Sequence, residues 1–252
     1  MTYNLLSFKS SIGTQKFAYN DNLKEYCPFC DREHLTDILD KDGKLLLVKN
    51  KFQVLEDAYL TVLIETETCQ DEFSNYPRAY LHRVMRFGFK HWLAMESSGE
   101  YASVLYFKNH GPLSGGSLHH PHMQIVGLNK INYQENISPE SFIGVPVHQS
   151  GNVEFTISTK PLVGFTEFNV ILPDLNEIDT LADYVQTASH YILNHFNRCK
   201  SYNIFFYHLD RTFYAKIVPR FVTTPVFVGY RISQVTDRIY KTAAEIRELY
   251  FT

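Results

Sequence analysis

No stretch of this sequence approaches the roughly 20 consecutive apolar residues that a membrane-spanning helix requires. Its first residues, MTYNLLSFKSSIG, hold no cationic segment followed by an apolar core, so a secretory leader is not expected. Cysteine is scarce, four in 252 residues, which excludes a disulfide scaffold. Low-complexity tracts and Pro/Gly/Ser linkers are missing; the nearest thing to a boundary is the polar stretch 127–152. Positive charge is not in excess either: 24 Lys and Arg stand against 27 Asp and Glu, a net −3. That balance gives no general attraction to nucleic acid or to an anionic membrane, so a phosphate-binding surface must be local. Basic stripes and interleaved basic and aromatic residues are also lacking. The expectation is a cytoplasmic protein with small-molecule partners, no nucleic acid and no membrane.

What is present is a globular composition, 44% hydrophobic and 15% aromatic, in a chain long enough for one large core or two smaller ones. Apolar residues at helical spacing predict helices over 78–96 (Leu81, Val84, Met85, Trp92, Leu93) and 176–197 (Ile178, Leu181, Val185, Ala188, Ile192, Phe196). A third is expected after a cap at Ser233, with Val235, Ile239, Ala243, Ile246 and Leu249 as its stripe. Strand-like runs are LLLVKN, AYLTVLIET, SVLYFKN, HMQIVGL, VEFTIST, EFNVILP, NIFFYHL, FYAKIVPRF and VFVGYRI. Their order repeats: strand, helix, strand, strand in the first half, and the same again in the second. Two halves, 1–150 and 151–252, are expected. Aligning HPHMQIV with TFYAKIV sets Tyr214 opposite His122 and Lys216 opposite Gln124. The second half lacks the histidines, so a single active site belongs to the first.

That site is announced by SGGSLHHPHMQIV, residues 114–126. In an extended strand His120, His122 and Gln124 share one face, Met123 and Ile125 the other. His119 falls opposite His122. Two histidines on one side suffice for a metal ligand beside a nucleophile or base. Upstream, NHGPLSGGS supplies Asn109, Gly111, Gly115, Gly116 and Ser117; glycines let backbone N–H groups converge on an oxyanion, and the serine adds a donor. A solvated histidine cluster on an edge strand is the plain alternative. The pair Cys27 and Cys30, in CPFC after a polar irregular stretch, suits a zinc knuckle better than a redox motif, which opens a helix after a strand. Two unrelated structural thiols are the alternative there.

These residues resemble the galactose-1-phosphate uridylyltransferase branch of the histidine triad superfamily. The resemblance rests on HPHMQ (His120 to Gln124), GGSLHHPHMQ, FKNHG, VKNKF, CPFC and the duplication, and covers roughly residues 25–225. It implies an α+β fold of duplicated histidine-triad-like strand–helix–strand–strand units, forming a mainly antiparallel sheet flanked by helices. It further implies a nucleotidyltransferase or phosphorylase acting on a nucleoside diphosphate sugar or dinucleoside polyphosphate. His122 would be the nucleophile, forming a covalent nucleotidyl-histidine. Gln124 would stabilise the transferred phosphate, Ser117 the neighbouring one, Asn109 would position the group, and Asn50 would lie near base and ribose. Structural zinc would take Cys27, Cys30 and His120, with Cys69 where relatives carry a histidine; His110 and His119 are the substitutes. Lys51 stands where the uridylyltransferases place an acidic ribose contact, which argues against UDP-sugar specificity. With Tyr214 and Lys216 at two second-half positions, no iron site is expected, and His208 reads as a strand histidine. Lys216 and Arg220 could approach an anionic substrate or serve as ordinary strand charges. A hydrolase using the same histidine, a zinc-stabilised nucleotide-binding protein without chemistry, and a nucleic-acid-end processor are the other readings. The assembly would be a monomer or a homodimer.

Overall fold

The computed structural model describes residues 5–22 and 27–252. The start of the segment MTYNLLSFKSSIG, residues 1–4, and part of the irregular stretch before CPFC, residues 23–26, lie outside the described residues. The chain forms two compact units. One takes in residues up to Glu72, Arg86–Lys108 and Ser117–Glu135; the other takes in Phe73–Met85, Asn109–Gly116 and Asn136–Thr252.

In the first unit, helix α1 (Ser10–Asn22) precedes strands β1 (Ile38–Asp42), β2 (Leu45–Lys49) and β3 (Ala58–Ile64). Helix α2 (Arg78–Ser97) enters this unit at Arg86, and β4 (Ser103–His110) and β5 (His122–Leu128) follow. The antiparallel order is β1-β2-β3-β5-β4. Alternation sorts the strand residues. Leu63, Met123 and Ile125, each 0% exposed, turn to the face covered by α2, where Trp92 is also sealed and donates from Nε1 to the Val104 carbonyl at 3.0 Å. Burying each such side chain contributes about 1.5–3 kcal/mol. On the other face, Leu46, Val48, Val62 and Ile64 form a second cluster, against which Phe29 and Leu35 pack. His122 pairs with Ile64 and Gln124 with Val62, so both belong to that second face.

The second unit repeats the plan. Strands β6 (Gly144–Ser150), β7 (Val153–Ser158) and β8 (Phe168–Leu172) lead through helix α3 (Ile178–Asn194) to β9 (Tyr202–Leu209) and β10 (Thr212–Pro219). Their antiparallel order, β6-β7-β8-β10-β9, is that of the first unit. Helix α3 packs on this sheet through Tyr184, stacked on Phe155 at 5.6 Å, and Tyr191 against Phe168. Helices α4 (Pro225–Tyr230) and α5 (Ile239–Tyr250) close the chain. The fold is therefore α+β, with duplicated antiparallel units flanked by helices. Among the described residues no helix is long and apolar enough to cross a membrane.

Several expectations need correction. VFVGYRI is not a strand: Thr224 caps α4 through its hydroxyl, Pro225 fits the first turn, and Arg231 ends it at φ 54. Ser233 does not cap the last helix; its hydroxyl donates to the Leu162 carbonyl, and α5 begins at Ile239. Accordingly Val235 and Leu249 stay 52% and 46% exposed, while Ile239, Ala243 and Ile246 are buried. The second expected helix is shorter, because Asp174 first caps a single 3₁₀ turn, Leu175–Glu177. Helix α1 and strands β1 and β6 were not foreseen. β1 is a polar, exposed edge strand, and β6 carries Pro146 with a register shift beside it.

Gly88 shows how tightly α2 sits on its sheet: a Cβ there would meet the Tyr106 hydroxyl at 2.0 Å and Leu63 Cδ1 at 3.3 Å. Tyr106 is 1% exposed and donates to Met123 Sδ. Gly88→Ala is expected to destabilise by about 1–3 kcal/mol in urea unfolding. A loss below about 0.5 kcal/mol would mean that the ring yields freely.

Candidate metal centre and active site

Four side chains from three separate segments meet in the first unit. Cys27 and Cys30 come from the turn after α1, Cys69 from the loop after β3, and His120 from the bend that leads into β5. Their ligand atoms all lie within 4.8 Å of one another. His120 Nδ1 is 3.5 Å from Cys27 Sγ and 3.4 Å from both Cys30 and Cys69 Sγ, and the Cys30 and Cys69 sulfurs are 3.5 Å apart. A tetrahedral ion with ordinary metal–sulfur and metal–nitrogen lengths separates its ligand atoms by about 3.6–3.8 Å. The donor set fits such an ion in both number and spacing.

The surroundings prepare these donors. The Cys30 amide donates to the Cys27 carbonyl at 3.1 Å, closing the knuckle turn. His120 Nε2–H donates to the Thr66 carbonyl at 2.9 Å, which leaves Nδ1 with its lone pair toward the sulfurs. Arg32 donates to the same carbonyl. Burial pushes the Cys27 thiol up, and burial together with the neighbouring sulfurs pushes Cys69 well above its ordinary value. A bound cation reverses that balance, since it coordinates the thiolate. His110 and His119 take no part in the cluster. His110 is stacked on Tyr202 at 4.7 Å, and His119 is exposed.

Two residues after the last of these ligands lies His122, 8% exposed. Its Nδ1–H donates to the His120 carbonyl at 2.6 Å, so Nε2 is the nitrogen that carries a lone pair. Desolvation pushes the imidazole down to about 4, and the charges of Lys108, His120 and Lys16 act in the same direction. Lys16, on α1, is itself lowered by burial. The Phe29 ring stands edge-on to both imidazoles, at 5.7 Å from His120 and 5.5 Å from His122, which places them on one side as their spacing predicts.

The peptide carrying both histidines is pinned from below. The Glu65 amide donates to the Pro121 carbonyl at 3.1 Å. Glu65 Oε1 lies 2.5 Å from Lys108 Nζ, and Lys108 also donates to the His122 carbonyl at 3.4 Å. Both charged side chains are sealed, at 0% and 1% exposure. Sequence reading missed this pair. Its one trace was a lysine within the apolar run SVLYFKN, where a charge is unexpected.

Gln124 is half-buried on the same face as His122, with Phe107 directly across the strand pair. Asn50 follows β2; its Oδ1 accepts from the Phe52 amide at 2.9 Å, and its amide donates to the Leu60 carbonyl. By strand register it lies about 13 Å further along the sheet than His122, four residues on. Ser117 is exposed, in the loop before the histidines. Asn109, Gly115 and Gly116 group with the second unit, in a loop clamped by Asn203, which donates to Asn109 Oδ1 at 2.6 Å and the Ser114 carbonyl at 2.9 Å. The Gly116 amide there is engaged by Ser114 Oγ at 3.3 Å. Gly111, at φ 82, has room for no side chain, since a Cβ would meet the Lys200 carbonyl at 2.1 Å.

In the second unit the positions of His122 and Gln124 are filled and closed. Phe142 stacks on Tyr214 at 4.3 Å and lies 5.2 Å from Lys216 Nζ. Lys216 is 0% exposed, donates to the Ser141 carbonyl and Asn169 Oδ1 at 2.8 Å each, and lies 3.1 Å from Glu167. It is a buried structural cation, not a substrate contact. His208 is stacked on Phe213.

Two family profiles, the N-terminal and C-terminal domains of a domain of unknown function (DUF4931), match residues 8–131 and 134–251. The chain belongs to the DUF4931 family. A DUF4931 protein from Bacillus cereus of known crystal structure is 44% identical, with a TM-score of 0.79 over 86% of this chain and 100% of that one. The fold is also similar to that of a galT-like protein from Arabidopsis thaliana, 16% identical, with a TM-score of 0.73 over 90% of this chain and 93% of the other. An ADP-glucose phosphorylase from the same plant is 15% identical, with a TM-score of 0.73 over 89% and 91%. A search of the curated proteins finds no match.

Two measurements test this DUF4931 site. Plasma emission analysis of the purified chain is expected to find one tightly held transition-metal ion, lost in Cys69→Ser and kept in Cys199→Ser, whose thiol is buried elsewhere. Full retention in Cys69→Ser would remove Cys69 from the ligand set. Lys108→Met, which strands the Glu65 carboxylate, is expected to cost about 3–5 kcal/mol in chemical unfolding. Wild-type stability in that variant would show that the pair does not hold the histidine strand.

Proposed function

We propose that this DUF4931 protein is a nucleotidyltransferase or phosphorylase that acts on a nucleoside diphosphate sugar or a dinucleoside polyphosphate through a covalent nucleotidyl-His122 intermediate. One observation carries the reading: His122 is a buried imidazole whose Nδ1–H is committed to the His120 carbonyl, leaving Nε2 as the lone-pair nitrogen. In the first step Nε2 attacks the α-phosphorus in line. The P–N bond forms, the bond to the bridging oxygen breaks, and a sugar phosphate or nucleoside polyphosphate leaves with that oxygen and its electron pair. In the second step an acceptor phosphate attacks the same phosphorus from the opposite side and His122 departs neutral. The hydrogen bond at Nδ1 supports both steps, because positive charge grows on the ring as the P–N bond forms.

Gln124, two residues on and on the same face, is assigned to the non-bridging oxygens of the transferred phosphate. Ser117 is assigned to the neighbouring phosphate, and Asn50 to the ribose and base end. The metal in the Cys27, Cys30, Cys69 and His120 cluster is proposed to be zinc in a structural role: all four protein ligands are present, which closes the coordination shell to substrate. The part of the chain up to about residue 150 would carry the chemistry and the remainder none. That the galT-like protein and the ADP-glucose phosphorylase share this fold supports the substrate class.

Intact mass measured at neutral pH, after brief incubation with UDP-glucose, ADP-glucose or a dinucleoside tetraphosphate, tests the intermediate. A nucleoside-monophosphate adduct is expected, absent in His122→Ala and identifying the base by its mass. Gln124→Ala is expected to slow turnover about 10²–10³-fold. Release of the adduct by water without an acceptor would reassign the protein as a hydrolase. Binding of these nucleotides with neither adduct nor turnover would leave a binding protein and sink the covalent mechanism.

A further inference from the structure

The second unit, whose sheet face is plugged by Phe142, contains a cavity of about 410 Å³ built from its own residues alone. That volume is within the range of small-molecule sites. Its walls are the end of β10 with the segment after it, the last turns of α3, the first turns of α5, and the turn before β8. None of these residues has a part in the His122 chemistry.

The lining divides into two kinds. Tyr191, 2% exposed, and the half-buried Phe196 provide an aromatic floor, and the Phe221 ring lies 6.3 Å from that of Phe196. The same cavity is lined by three cations, Arg220, Arg238 and Lys241, against a single carboxylate, Glu245. That carboxylate is already engaged by the Tyr191 hydroxyl at 2.9 Å. Among the described residues no carboxylate lies within ion-pair distance of any of the three cations. Elsewhere on this chain exposed cations find partners readily: Lys90 with Asp40, Lys130 with Asp57, Lys160 with Glu140. Three unpaired cations beside aromatic rings form a concentration of positive potential in a concave, partly apolar site.

One lining residue is held at a conformational cost. Phe165 has φ 53, a left-handed backbone that a bulky side chain rarely adopts, and is 47% exposed. Its amide donates to the Gln234 carbonyl, and its own carbonyl accepts from the Thr236 amide at 2.9 Å. Two backbone bonds therefore fix an exposed phenyl ring at the cavity edge. Phe221 stands there too, 42% exposed. Exposed rings and unpaired cations lining one cavity call for a ligand with a flat apolar part and a negative head.

We propose that this cavity is a second ligand site, distinct from the His122 chemistry, for a small organic anion made of one ring and one phosphate or carboxylate head group. The ring would lie against Phe196 and Phe221, and the head group would be met by Arg220, Arg238 and Lys241. The inference does not rest on the reading of His122, so either can fail alone.

Calorimetric titration of the metal-loaded 252-residue chain with phenyl phosphate tests it, with benzoate, inorganic phosphate and phenol titrated separately. Saturable one-site binding of phenyl phosphate or benzoate is expected, and whichever binds more tightly names the head group. Inorganic phosphate and phenol are each expected to bind roughly tenfold more weakly, since each lacks half of the contacts. Arg220→Ala, and the surface pair Arg238→Ala with Lys241→Ala, are expected to weaken binding about tenfold or more while thermal unfolding of the surface pair is unchanged. His122→Ala is expected to bind as wild type. No saturation by either ring anion up to about 10 mM overturns the proposal, as does binding lost in His122→Ala but untouched by the cation variants.

Discussion

A lysine and a glutamate taken wholly out of water form the constraint on which the first unit depends. Lys108 and Glu65 are each within 1% of full burial, and desolvating two charges is offset only when the geometry is good and the remaining hydrogen-bonding groups are used. Here those groups are used on one short peptide. The Glu65 amide takes the Pro121 carbonyl and Lys108 takes that of His122, while the imidazole of His122 takes the carbonyl of His120. Three successive carbonyls are thus committed, and the backbone from His120 to His122 is tied at each of them. A hydrophobic pair of similar volume would fill the space without holding those atoms.

The second unit shows the same plan without the histidines. Its strands run in the same order, and it also buries a lysine and a glutamate, but at different positions. Lys216 stands where Gln124 does, and its three polar contacts are to its own unit. The Ser141–Phe142 turn then covers the face that holds Val62, Ile64 and the histidines in the first unit. Loss of the histidines and closure of the face go together: a buried cation needs a lid of carbonyls and rings, and the lid leaves no room for a substrate.

The sequence made the repeat legible because strand alternation and helix periodicity are local properties. The helix at Arg78, the runs of β3, β4, β5 and β7 to β10, and the shared side of His120 and His122 could all be read that way. The ligand set was legible for a different reason: CPFC alone pointed to a knuckle, the family resemblance implied His120 and a residue after a strand, and Cys69 is indeed beside the knuckle. What stayed hidden depends on distant partners. VFVGYRI has a strand's composition, but Thr224 and Pro225 start a helix there. Nothing near Lys108 in the chain announces Glu65, 43 residues away. Nor does SGGS reveal that Ser114 Oγ engages the Gly116 amide or that Asn203 donates to the Ser114 carbonyl.

The metal cluster also acts on the chain as a cross-link. Its contacts join residues 39, 51 and 93 positions apart. If a bound ion closes loops as a disulfide does, each of the two shorter closures removes disordered-chain entropy worth about 4 kcal/mol. The cross-link cannot be completed until His120 has been made, because the three thiols all precede it. On a growing chain the three cysteines therefore precede the histidine, and His122 follows it two places later. Closing the cross-link at His120 also ties down the peptide from which His122 projects, because the His122 imidazole is bonded to the His120 carbonyl.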